Sequence, residues 1–431
     1  MGGRSRDLAG EIQSLEREWT EMLQDVKPPD MDEFHRQCIY RVPPNIREYN
    51  PKAYTPQIVS IGPYHKVRDV GKEDNIFQSM ETLKLKYLKG FLDRTNMRDL
   101  VVKMKELEES NIQSCYAETI ESNDDFLKMI LVDACFIIEL FLRWHRHSDW
   151  KGKDRLMQKP RMLGYIELDL LLLENQLPFC VLDELHKLTG MNENFLDITL
   201  KYFESRLFGN MRPEESPKHF TDLLISTIIS SSKLGLEKLE RCKEVKHVYS
   251  ASQLMEAGLK FEVNPNTSFV DLTYSKYGVL SMPILNIHDN TELLFRNMMA
   301  YEHCHLSTTN IITQYVVILD FLINTEEDVN ILVENKIIVN GDANKVATMF
   351  NNLTSQLSIP DFNSHYFSIC NSLNEFYENP RNKYKAIFIH EYFNTPWKIA
   401  STTAAIMLLL LTFIQTVINE MDRYVKNKKV S

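Results

Sequence analysis

"FLKMILVDACFIIELFL" (residues 126–142) is the most apolar run ahead of the C-terminal end of the chain, and its reading decides the fold. It is either a membrane span or a core helix. Lys128, Asp133 and Glu139 interrupt it, and an ionised side chain at the bilayer centre costs about 2.5–3.5 kcal/mol. Three of them make the run a core helix. Asp124 and Asp125 stand just ahead of it, where unpaired backbone N–H groups and the positive end of the helix dipole favour carboxylates.

Downstream lies a second apolar stretch with a polar centre, "DLLLLENQLPFCVLDEL" (169–185). Glu174, Asn175 and Gln176 stand together there, with Pro178 and Phe179 close behind. Proline has no N–H and pushes the preceding residue out of helical geometry, so the backbone breaks inside an apolar layer. Each buried backbone group left without a hydrogen bond costs about 1–3 kcal/mol. Asn175 and Gln176 carry donors and acceptors to meet that need, and Glu174 can pair with a cation or cap N–H groups. A fixed bend in the core is preferred here over a reactive site.

Outward from these stretches the pattern stays helical. Residues 1–28 form an amphipathic helix with Leu8, Ile12, Leu15, Trp19, Met22 and Val26 on a heptad seam. The seam covers fewer than three heptads. A helix docked on its own domain and a partner-binding or oligomerising helix are the two readings. Prolines hold residues 43–63 extended, and a helix begins near Asn75 with Met80, Leu83, Tyr87 and Leu88 on one face. Alternation of Leu259, Phe261 and Val263 marks a strand, and a hairpin closed over 275–278 follows it. Asp289 and Glu292 then suggest a capping box before further helices. The expected fold is mainly α: one large helical domain over 33–395, with a small antiparallel hairpin or meander near 259–288.

At the far end "IASTTAAIMLLLLTFIQTVI" (399–418) holds no charge over twenty residues. As a helix it is about 30 Å long, the thickness of a bilayer's hydrocarbon core. Ile399, Ile406, Leu408, Leu409, Leu410, Leu411, Phe413, Ile414 and Ile418 would anchor it, and Trp397 suits the headgroup interface. The reading is a single transmembrane helix over 397–418 with a short polar tail over 419–431. Basic residues tie across it: Arg381, Lys383, Lys385 and Lys398 before, Arg423, Lys426, Lys428 and Lys429 after. With no apolar stretch in the first thirty residues to act as a cleaved signal, the bulk of the chain is expected in the cytosol, at a membrane such as the plasma membrane.

Composition excludes several classes of chemistry. The 431 residues carry a formal charge of −10, whereas nucleic-acid binding needs a concentrated basic footprint. The seven cysteines are scattered with no Cys-x-x-Cys pair, against a disulfide framework or zinc site and in favour of a reducing compartment. Cys135 and Cys180 lie in apolar runs as small hydrophobes. No glycine cluster cradles phosphate, and no Gly-x-Ser-x-Gly elbow appears. His303-Cys304-His305 is the densest metal-like cluster, but consecutive helical residues point about 100° apart. Carboxylate pairs such as Glu167/Asp169, Asp183/Glu184 and Glu326/Glu327 read as solvated faces. No catalytic residue, metal ligand or cofactor is expected.

Five stretches occur in one order: "IYRVP" (39–43), "PQIVSIGPYH" (56–65), "LLLENQLPFCVL" (171–182), "SASQLMEAGLKF" (250–261) and "TELLFRNMMAYE" (291–302), the last holding Phe295, Arg296 and Asn297. With the terminal span, they resemble the plant family called domain of unknown function 247, over nearly the whole chain. The family's usual aromatic-Glu-Gln-Cys reads Tyr301-Glu302-His303-Cys304 here, and no catalytic residue is carried over. The resemblance implies a plant membrane protein of unassigned biochemistry, some grass members being implicated in self-incompatibility. The expected function is protein recognition or signalling without catalysis, through a protein partner. An enzyme with an unrecognised site and a passive membrane tether are the alternatives.

Overall fold

The run 126–142 lies inside the helix Asp124–His145, in a chain that is mainly helical. A computed structural model describes residues 3–23, 36–65, 75–150, 152–208, 211–233, 240–265, 268–305, 310–355, 361–393 and 396–430. The chain falls into two units. The first comprises Met1–Val42, Thr55–Tyr202 and Lys218–Phe220; the second comprises Pro43–Tyr54, Phe203–Pro217 and Thr221–Ser431.

The first unit is built on Asp124–His145. Asn123 caps that helix by accepting the Phe126 N–H at 2.8 Å, and Asp124 and Asp125 fill its first turn. Helices Asn75–Phe91, Met97–Glu109, Phe179–Lys187 and Phe195–Tyr202 pack on it. Phe141 lies between Phe195, Tyr202 and Phe220, with ring centroids 5.9, 4.0 and 5.6 Å away. Burying side chains of this size stabilises the fold by about 1.5–3 kcal/mol each.

Two of the charges that exclude the run from lipid, Asp133 and Glu139, are ion-paired in this core, and Lys128 is exposed. Glu139 is fully buried, 2.7 Å from Arg143 Nε and 2.5 Å from Arg94 Nη1. Arg143 reaches on to Asp154 at 2.7 Å and lies over the rings of Tyr87 and Trp150. A buried carboxylate persists only with such partners. Gly90 admits the guanidinium, because a Cβ there would run into it.

The second unit places helices Thr291–Cys304, Ile311–Leu322, Glu326–Glu334, Ala343–Thr354 and Ser364–Glu378 around short strands. The hairpin forms where the sequence predicts it: Thr273–Ser275 pairs antiparallel with Val279–Met282. Gly278 closes the turn at φ +76°, in the left-handed region that favours glycine, and its N–H donates to Ser275 at 2.9 Å. Lys260–Val263 joins the far edge of Val279–Met282 in parallel, so the three-stranded sheet is mixed. The helix Ala251–Glu256, with a Ser250/Gln253 capping box, leads into that strand, and the dozen or more residues from Val263 to Val279 are long enough for the parallel pairing. Arg241–Glu244 pairs antiparallel with Asp361–Asn363, and Leu285–Asn286 pairs parallel with Ile338–Val339. Asn290, rather than Asp289, stands at the N-cap of Thr291–Cys304, and Glu292 turns to Arg296.

Among the described residues, the helices at the two ends of the chain expose long runs of apolar side chains. Gly3–Leu23 is exposed throughout residues 10–23; Val26 lies outside the described residues. Pro396–Val430 is a single helix, so the expected polar tail continues it as far as Val430. Its segment Pro396–Met421 is long and apolar enough to cross a membrane by length and composition, and none of its most apolar window is buried.

Candidate functional site

The Glu-Asn-Gln stretch is neither a helix nor a kink in one. The helix Pro160–Asp169 ends there, Phe179–Lys187 begins after Pro178, and the residues between are turns. Asn175, wholly buried, accepts the Ile61 N–H at 2.7 Å and donates to the carbonyls of Val59 and Asp169 at 3.0 and 2.9 Å. Gln176 donates to Leu170 and Leu172 at 2.7 and 2.6 Å and accepts the Phe220 N–H at 2.9 Å. Glu174 accepts the Val42 N–H at 2.8 Å and lies 3.0 Å from His65 Nε2. Phe179 donates its backbone N–H to Lys218 at 2.7 Å and packs its ring against Phe195. The three polar side chains therefore clamp four separate backbone segments together. Gly62 completes the clamp at φ +71°, where a Cβ would come within 2.6 Å of the Gln176 carbonyl.

Two residues outside the motif, Asp169 and His219, extend this network, and local sequence carried little signal for them. Asp169 accepts the N–H groups of Gln57, Ile58 and Val59 at 2.7–2.9 Å. Burial pushes its carboxyl up to about 6 against the pull of those N–H groups. The carboxylate pair Glu167/Asp169 is thus buried, contrary to the expected solvated face. Asp183 and Glu184 do pair with Lys187 on an accessible face, and Glu326 and Glu327 are exposed. His219 bonds the Cys38 carbonyl at 2.9 Å through Nε2, and burial drives its pKa down to about 3.

Phe295, Arg296 and Asn297 form a corresponding clamp in the second unit. Asn297 donates to the carbonyls of Ala53 and Leu293, both at 2.8 Å. Arg296 pairs with Glu292 at 2.8 Å and lies over the Tyr49 ring. Phe295 stacks on Phe208, with centroids 5.6 Å apart. Glu302, fully buried, caps the next helix by accepting the N–H groups of Ile312 and Thr313 and the Thr313 hydroxyl. Burial raises its carboxyl to about 7. Next to it His303 is exposed, whereas His305 is buried and stacks on Tyr301, so the His-Cys-His run diverges. Among the described residues no three His, Cys, Asp or Glu side chains are grouped as a metal would need. Cys180 is exposed, on the outer side of its helix and not in the core.

A cleft of about 570 Å³ opens in the first unit between Asn75–Phe91, Asp124–His145 and the Ser60–Gly62 strand of chain. Lys84 lies at its base and is 2% exposed. Its ammonium meets Asp133 at 2.7 Å, Glu81 at 2.6 Å and the Ser60 carbonyl at 2.5 Å. Asp133 also accepts the Gly62 N–H at 2.9 Å. Burial opposes the charge on Lys84, but the two carboxylates overcome it and hold the ammonium above its usual range. All three ammonium protons are taken up within the fold. The mouth is mixed, with Leu85 and Met129 beside Asp125 and Lys128.

Both clamps and the first part of the terminal helix fall within residues 39–411, which match the family model of domain of unknown function 247, described as plant protein of unknown function. The chain belongs to that family. It is 29% identical to the UPF0481 protein At3g47200 of Arabidopsis thaliana over 427 residues, covering 91% of this chain and 88% of that protein. A second Arabidopsis UPF0481 protein, At3g02645, is 22% identical over 489 residues, covering 88% of this chain and 89% of the relative. No solved structure matches the chain.

Trp397, Ile399, Ile406, Leu408, Leu409, Leu410, Leu411, Phe413, Ile414 and Ile418 all lie on the terminal helix and are all exposed, Leu409 by 69%. They surround the helix on every side, the pattern of an element whose natural surroundings are apolar.

Proposed function

We propose that the chain is a membrane-anchored plant recognition protein, its helical body held at a bilayer by Pro396–Met421 and acting through contact with another protein without catalysis of its own. One observation carries the reading. A helix of 26 residues exposes apolar side chains around its whole circumference, a surface that water disfavours by about 25 cal/mol per Å² and that lipid accepts. The motif residues support it as well, because their polar groups are spent on backbone clamping. The body lies in the cytosol, with the plasma membrane as the membrane. Self and non-self recognition, which the family resemblance implies for some grass members, is one form such recognition could take.

Proximity labelling of the full chain in plant cells tests the proposal. A defined set of protein neighbours at the cytosolic side of one membrane is expected. Purely soluble neighbours would refute the anchor; neighbours unchanged by any surface substitution would favour a passive tether.

The cleft at Lys84 favours a second reading, a small-molecule or catalytic site, since its volume lies in the range of about 300–1,000 Å³ usual for ligand pockets. Leu85→Trp, at the mouth, would then change metabolite-induced thermal shifts and leave the labelled neighbours intact.

A further inference from the structure

The N-terminal helix Gly3–Leu23 carries an uncovered seam. Ile12, Leu15, Trp19 and Met22 follow a three-four spacing along one face and are between 46% and 67% exposed. Such a seam is stable when a second helix covers it, and the flanking charges decide which helix that is.

With Ile12 and Trp19 at a positions and Leu15 and Met22 at d positions, the e and g positions over this stretch are Glu11, Glu16, Glu18 and Leu23. In a parallel pair of copies, g faces the e position five residues on, so Glu11 meets Glu16 of the other copy. In an antiparallel pair g faces g, which sets Glu11 against Glu18. Either way carboxylate meets carboxylate, between chains of net charge −10. An anionic lipid surface is repelled by the same three residues.

We propose that this helix docks an amphipathic helix of another protein whose seam is flanked by Lys or Arg. The inference rests on the recognition reading and supplies the chemistry of its partner. Trp19, at the centre of the seam, is the anchoring side chain, large and rigid enough to dominate a short interface. Glu11, Glu16 and Glu18 set orientation and speed encounter.

The test uses the full chain in neutral-lipid nanodiscs and two synthetic helical peptides with the same Ile/Leu seam, one with Lys and one with Glu at e and g. The Lys-flanked peptide binds at least about tenfold tighter, and the advantage shrinks as salt rises from ~50 to ~500 mM. Trp19→Glu abolishes binding with unchanged circular dichroism, and Glu11→Lys/Glu16→Lys/Glu18→Lys reverses the preference. Equal binding of both peptides overturns the proposal. So does no binding above the Trp19→Glu level, self-association that Trp19→Glu removes, or helix-dependent docking on anionic vesicles. If these arms fail while the labelled neighbours persist, the helix assignment falls and the recognition reading stands.

Discussion

The Glu174–Gln176 clamp and the helix Pro396–Met421 reverse the usual distribution of side chains in opposite ways. One buries polar groups; the other exposes apolar ones. Neither is common by chance, so both are informative where an ordinary exposed leucine is not. The clamp shows that polar side chains in a core can be wholly taken up by backbone: Asn175 alone satisfies three groups at 2.7–3.0 Å. The terminal helix has no such internal account of its side chains, and its explanation lies outside the chain. Buried polarity here is architecture, and the exposed apolar helix is what supports the proposed anchor.

The sharpest way to break that contrast is Asn175→Leu, similar in branched shape but unable to hydrogen-bond. It leaves the Ile61 N–H and the Val59 carbonyl unpaired and strips the Asp169 carbonyl of the shorter of its two hydrogen bonds. At about 1–3 kcal/mol each, the loss is on the order of 5 kcal/mol. Urea unfolding of the detergent-solubilised chain should show a lower midpoint with an unchanged slope. A variant that stays fully stable yet loses its cellular neighbours would mean that the motif is a recognition site.

Lys84→Met comes next. It strands Asp133, buried beside it, and should lower stability by about 3–5 kcal/mol. Adding Asp133→Asn removes the stranded charge and keeps an acceptor for Gly62, so most of the loss should return. Failure of the double variant to recover, with ligand-induced stabilisation of the parent, would turn attention to the cleft as a functional site.

The smallest effect concerns pH. His219 is held near 3 in the folded chain, against about 6.5 when unfolded. Its neutral form is the one the fold accepts, so its contribution is intact above about 6.5 and is lost as pH falls toward 3. Between pH 7 and 5 the loss is about 2 kcal/mol. Asp169 and Glu302, raised by burial, slope the other way and destabilise as pH climbs toward about 6 and about 7 respectively. The comparison of parent with His219→Gln isolates the histidine: the variant keeps a donor for Cys38 and should lose that share of the slope. Identical slopes would mean that His219 contributes nothing to the pH dependence.

Much of the architecture was legible because its causes are local. Lys128, Asp133 and Glu139 excluded a buried span in lipid, and the helix Asp124–His145 is a core helix. The hairpin turn at Gly278 and the break before Pro178 follow from single residues, one whose backbone is unusually free and one whose backbone is restricted. The partners of the clamp were not legible, since Asn175 reaches residues 114 and 116 positions away. Asp169 looked like one of many acidic pairs, and only the fold reveals the three N–H groups around it. Cys180 misled for the converse reason: an apolar run does not say which side of a short helix faces out. The acidic flanks of the N-terminal seam were visible all along, but their meaning depended on the seam being uncovered.

If the terminal helix sits in lipid while the body does not, alkaline carbonate extraction of membranes tests it most directly. The comparison takes cells expressing the full chain, a chain ending before Pro396, and a Leu409→Lys/Leu410→Lys variant. Each central lysine opposes insertion by about 2.5–3.5 kcal/mol. The full chain is expected to stay in the pellet, the shortened chain to be soluble, and the double-lysine variant to be lost from the membrane. A full chain released by carbonate, or a shortened chain that still pellets, would contradict the anchor.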